Sequence, residues 1–290
     1  MINTGEGMLR SFGEDYDDNI IFTELSYMMS FYDSLSVCHI PSFEYTAWFS
    51  KSKIFSTPTY IYNAIAGTIE SISVLLRNGR CNDAFALVRK YCDSIILDIY
   101  KILLTKRIDN QFYESLSFDV YENNELKKWI DSEDQLYSER EIKSKVYNEI
   151  IKNFPALTKM FKLNAQNTLY HKLRTICNDN MHYNYFWTIF ANDAEMIKAR
   201  KEFRDVILKN ISKALRLFFT IHFSLIYEGA PGYMASSDYM DYLDMGQQPP
   251  EGSERWVSPP VLEAFIKIIK KYYPKIADYI INLDLLDFKD

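Results

Sequence analysis

The chain has 290 residues, 48% of them hydrophobic and 25% charged, with a formal net charge of −6. That balance describes a folded globular protein and excludes a global positive field for nucleic acid, so any anion site must be local. Nine Gly and nine Pro against 22 Tyr and 19 Phe leave few tight turns and a large aromatic core, which favours long helices over many short strands.

The four cysteines (Cys38, Cys81, Cys92, Cys177) lack metal-ligand spacing, and there is no Gly-rich phosphate loop, so neither metal nor cofactor is expected. Met1–Arg10 has neither the basic nor the apolar region of a leader peptide. The longest apolar stretch, Leu215–Tyr227, is 13 residues and contains Arg216 and His222, well short of the roughly 20 needed to span a bilayer. A cytoplasmic protein without membrane segments is the expectation.

Residues 1–56 read as an acidic N-terminal arm, with apolar periodicity around Ile20–Tyr32 for one helix and no clear period over Ser42–Ser56. Thr57-Pro58 marks a helix start, because proline at the first helical position sacrifices no intrahelical bond. Ile61, Ile65, Ile69, Ile72 and Leu76 then form one apolar face, closed by Asn78-Gly79-Arg80. Asn82 is the expected cap of a second helix running to about Lys106, with Ala84, Leu87, Tyr91, Ile95, Ile99 and Leu103 as its stripe. The short linker makes the two an antiparallel hairpin.

Residues 107–165 read as an insertion with a charged, exposed helix over Glu139–Lys152 and a short one opened by Pro155. Asn167 or Thr168 caps a third major helix that reaches Asn180 or Asn184. A fourth starts at Asn192, with Glu195 completing a capping box, and runs to Gly229, long enough to hold a kink. A loop excursion covers 230–257, and C-terminal helices split at Pro274 cover 258–290. The expected fold is all-α: an up-down helical bundle over 57–229 with extra peripheral helices and a long crossover between bundle helices two and three.

The third helix carries the chemistry. His171, Arg174, Asn178 and His182 follow at steps of three, four and four, which places them on one stripe of a 3.6-residue helix. Histidine moves a proton near neutral pH, arginine holds a phosphate oxygen bidentately, and an amide orients a nearby imidazole. Together they suit metal-independent RNA cleavage by attack of a 2′-hydroxyl on the adjacent phosphate. The bland readings are that His171 is a surface residue and that His182 caps the helix end beside Asn180 and Asn184.

Two stretches, Leu76-Arg-Asn-Gly-Arg-Cys-Asn-Asp-Ala-Phe-Ala-Leu-Val-Arg89 and Asn178-Asp-Asn-Met-His182, resemble the HEPN superfamily, in particular HEPN-like bacterial proteins linked to phage defence and abortive infection. The similarity covers about residues 58–106 and 166–228. It implies a helical bundle, a metal-independent endoribonuclease in a toxin or defence setting, RNA as partner, and a homodimer that brings two Arg-to-His motifs together. His182 would be the acid/base, Asn178 the polar neighbour and Arg174 the phosphate stabiliser. Family spacing has four to six residues between Arg and His; here seven separate Arg174 from His182, and Cys177 stands where the short spacing would place Arg. The alternative is a non-catalytic HEPN-like interaction or structural module.

Arg89 and Asp93, at i and i+4, read as a surface ion pair or, with Arg89 against the stripe, as a second cation that joins His171 in phosphate binding. Lys198–Arg216 holds seven Lys or Arg against Glu202 and Asp205, a solvated face or an RNA-binding one.

Overall fold

The computed structural model describes residues 11–38, 57–138, 141, 145–163, 169–229, 242, 245–250 and 259–282. The irregular segment Ser42–Ser56, the Asn167/Thr168 cap, most of the 230–257 excursion and the chain ends lie outside them. Among the described residues every regular element is a helix, as the all-α expectation requires. They are α1 (Glu14–Asp17), α2 (Ile20–Cys38), α3 (Thr57–Arg77), α4 (Cys81–Ser115), α5 (Asp119–Glu122), α6 (Glu125–Ile130) and α7 (Tyr147–Asn153). After these come α8 (Pro155–Phe161), α9 (Leu169–Met181), α10 (Phe186–Phe190), α11 (Ala194–Ala199), α12 (Lys201–Gly229), α13 (Pro259–Tyr272) and α14 (Pro274–Ile281).

The hairpin of α3 and α4 forms where the apolar stripes place it. Gly79 sits at φ +68, and a Cβ there would come within 2.8 Å of the Phe12 ring, so the turn needs glycine on both counts. α4 packs on α3, α9 and α12 and is the central helix. It continues nine residues past the expected end at Lys106, because Ile108 and Asp109 are still buried and Asp109 accepts a hydrogen bond from Tyr121 at 3.0 Å.

The acidic arm contains a core helix. α2 lies along α3, and Ile21, Leu25, Met28, Phe31, Tyr32 and Leu35 are fully or almost fully buried. The apolar periodicity read over Ile20–Tyr32 continues to Leu35, and packing against α3 satisfies it. The insertion is likewise part of the core: Tyr121, Leu126, Val146, Ile150, Leu157 and Phe161 are buried among the α4 and α12 side chains. The expectation of an exposed helix over Glu139–Lys152 is therefore corrected where that segment is described, since α7 turns Ile150 inward.

Two capping expectations are also corrected. Asn82 does not cap α4. The orphan amides at its start are served from a distant loop: Cys81 N–H donates to the Ala191 carbonyl (2.8 Å), and Asn82 and Asp83 N–H donate to Asn192 Oδ1 (3.0 and 3.2 Å). Asn192 is therefore occupied, and Asp193 caps the next helix, accepting from Glu195 and Met196 N–H. That helix ends at Arg200, so the fourth helix is split into α11 and α12. Among the described residues no helix is long and apolar enough to cross a membrane.

Candidate functional site

Burial sorts the α9 stripe. Leu173 and Cys177 face the core, while His171, Asn178 and His182 are exposed and Arg174 is half-buried. Cys177 is no nucleophile: burial pushes its thiol up to about 12, so it stays protonated.

Arg89 on α4 reaches across to α9, where its Nε donates to Asn178 Oδ1 at 3.1 Å, and its guanidinium also pairs with Asp93 one turn on. Arg174 donates to the same Asp93 carboxylate at 3.4 Å and to the Tyr147 hydroxyl of α7 at 3.5 Å. Two guanidinium groups thus share one carboxylate and leave a local excess of positive charge on the α4–α9 seam. Both are largely buried, which strengthens their fields relative to a solvated pair.

Arg89, Arg174 and Asn178 are therefore brought together, with Asp93 as the centre that spacing alone did not single out for α9. His171 lies on the exposed side of α9 one turn before Arg174. His182 lies one residue past the end of the helix, roughly 12 Å along the axis from Arg174 at 1.5 Å per residue. Its backbone carbonyl accepts from Thr188 Oγ1 at 3.1 Å and its side chain is exposed. Arg174 turns toward Asp93 and Tyr147, not toward His182.

The chain then exposes apolar side chains, four of them rings: Tyr183, Tyr185, Phe186, Trp187 and Ile189 follow within seven residues of His182, each between 41% and 76% exposed. No expectation singled out this segment. The signal was available as eight consecutive residues, Tyr183–Phe190, without a charge.

The basic run 198–216 is divided by packing. Arg204 is buried, donating to the Phe12 carbonyl at 3.2 Å, and Arg216 is clamped by Glu24 at 2.7–2.9 Å. Lys198, Arg200, Lys201, Lys209 and Lys213 remain exposed.

A second polar cluster lies wholly inside the bundle. His222 of α12 bonds Asp98 through Nε2 (2.9 Å) and Tyr32 through Nδ1 (2.7 Å); Tyr32 bonds Tyr91 (2.7 Å), and Lys101 pairs with Asp98 (3.2 Å). All five side chains are at most 1% exposed. Burial raises the two phenols, so each keeps a proton to donate. One consistent proton order is Tyr91 to Tyr32 to Nδ1, with Nε2–H donated to Asp98, assigned from partners. Burial alone would raise the Asp98 carboxyl, but Lys101 and the His222 hydrogen bond outweigh it and hold it at about 2. The cluster is buried and joins α2, α4 and α12. His222, visible in sequence only as an interruption of an apolar run, was its signal.

Among the described residues no group of His, Cys, Asp or Glu can hold a metal ion. Compared with protein-family models, with curated proteins and with solved structures, the chain matches none. The fold itself defines an all-helical protein.

Proposed function

We propose that this protein is an HEPN-like helical module that engages RNA at the C-terminal end of α9, in a toxin or phage-defence setting, as a metal-independent ribonuclease with His182 as acid/base. The observation that carries the reading is an exposed imidazole at the end of a helix that, two turns earlier, brings Arg174 beside Arg89 and Asp93 of α4, so that two arginines flank one carboxylate. Arg174 and Arg89 supply the positive field and Asn178 fixes Arg89. A homodimer is the arrangement in which a second α9 end would bring another His182 and Arg174 to the same RNA.

A second reading has its own observation. Arg174 and Arg89 are paired with Asp93 and Arg174 is turned away from His182, as suits a binding module whose stripe is an internal network. The first reading requires RNA binding and cleavage; the second, an interaction or structural module, requires neither.

Incubation of the purified protein with labelled RNA, with and without EDTA, separates them. Cleavage should survive EDTA, and His182→Ala should slow it by about 10²–10⁴-fold, the usual worth of a positioned proton-transfer group. Binding without cleavage selects the module; cleavage untouched by His182→Ala removes His182 from the chemistry. Absence of binding sinks the ribonuclease reading and leaves the structural module.

A further inference from the structure

We propose that Tyr183–Phe190 is a stacking platform for the unpaired bases of single-stranded RNA, an inference that rests on the RNA reading above and specifies the form of RNA taken. The segment reads Tyr-Asn-Tyr-Phe-Trp-Thr-Ile-Phe, with no charged side chain and one aliphatic one. Single exposed apolar residues are ordinary, but five in seven positions form a contiguous patch whose exposure to water is unfavourable.

The rings are held from beneath. Thr188 is fully buried, and its hydroxyl lies 2.6 Å from the Tyr185 carbonyl and 3.1 Å from that of His182, folding the segment back on the end of α9. Asn192 donates to the Tyr183 hydroxyl at 3.2 Å. Trp187 meets Phe203 edge-on at 6.1 Å, and Phe186 meets Phe190 edge-on at 5.1 Å. Tyr185 and Trp187 lie with ring planes 16° apart and centroids 6.3 Å apart. A platform fixed before binding loses little entropy when a flat ligand arrives.

Its surroundings favour a polyanion over an apolar partner. Arg200 lies over the Phe190 ring at 5.5 Å, with exposed Lys198 two residues before it, and His182 stands at the other end. Arg80 shares a shallow recess with Tyr183 and Ile189, where Asp193 and Glu195 offset its charge, so Arg200 is the stronger cation at the edge. Exposed ring faces bordered by cations are what successive bases and their phosphates need, and every base has a π-face to offer. In a duplex those faces are covered by neighbouring pairs, which selects the single strand.

The test uses the full chain, a labelled single-stranded oligouridylate and a duplex of equal length, read by fluorescence anisotropy, with unchanged melting as the folding control. Tyr185→Leu and Trp187→Leu should each weaken single-strand binding by about 5- to 150-fold, the worth of one stacked base. Trp187→Phe, which keeps a ring, should retain it, and duplex binding should be weak and insensitive. If the Leu variants bind as wild type does while His182→Ala weakens binding, the RNA reading stands and the platform is wrong. If the wild type binds no RNA, the underlying reading fails first. If the Leu variants instead convert a dimer to a monomer in sedimentation with RNA binding unchanged, the patch joins two copies and the proposal is overturned.

Discussion

Replacing Asp98 with alanine should lower the unfolding free energy by about 3–5 kcal/mol, because it leaves the Lys101 ammonium buried without its carboxylate. The same change takes the acceptor from His222 Nε2 and frees the Tyr32–Tyr91 chain that ties α2 to the bundle. Asp98→Asn isolates the charge. The folded carboxyl is held at about 2, below its ordinary 3.8, so its stabilisation is complete above the unfolded value and disappears as pH falls through about 2. Denaturant unfolding at a series of pH values should show wild type ahead of Asp98→Asn from neutral pH down to about 4, with the gap closing below. A gap that does not change with pH would mean the site is held by packing, not charge.

Breaking the pair between Glu24 and Arg216 should be destabilising one partner at a time and nearly harmless when both go. Arg216 donates Nε to both carboxylate oxygens at 2.8 and 2.9 Å and stacks on the Tyr272 ring at 4.1 Å. Yet burial raises the Glu24 carboxyl in spite of Arg216, so desolvation exceeds what the guanidinium returns. Raised in the fold, this group contributes most below its ordinary pKa, and the contribution falls as pH rises through the folded value. Glu24→Ala alone strands the arginine and should lose about 2–3 kcal/mol, less than a fully buried pair because Arg216 keeps some solvent. The double variant Glu24→Leu, Arg216→Met should lie within about 1 kcal/mol of wild type. Thermal melts of the two singles and the double check this; additive losses would show that the pair is net favourable.

The hairpin, its glycine turn and the position of the later helices were legible because their apolar stripes and Pro–Gly punctuation are local signals. What escaped has a common cause in long-range contact. The Asn192 cap works across 110 residues of sequence, and no window that reads Asn82 can find it. The α2 helix was read over about Ile20–Tyr32, but its place in the core, set by contacts with α3 and α12, was not. On α9, periodicity placed His171, Arg174 and Asn178 on the helix but carried the stripe one residue too far, since His182 lies past its end, and it said nothing of Asp93, which turns Arg174 toward α4 and away from His182. The aromatic segment Tyr183–Phe190 has no charge and no helical spacing, so only its composition marks it.

One side chain, beside the Ala191 carbonyl, ties the loop after α9 to the start of the central helix. Asn192 accepts from the Asn82 and Asp83 amides and donates to the Asp83 carboxylate and the Tyr183 hydroxyl. The Tyr183 hydroxyl and the first turn of α4 therefore share one hydrogen-bonding side chain. In hydrogen–deuterium exchange, the Asn82 and Asp83 amides should open whenever that loop lifts and should slow when a ligand seats on it, while amides in the middle of α4 keep the rate of global unfolding. The first turn of the central helix would thus act as a built-in reporter of ring occupancy, with Asn192→Ala weakening the link.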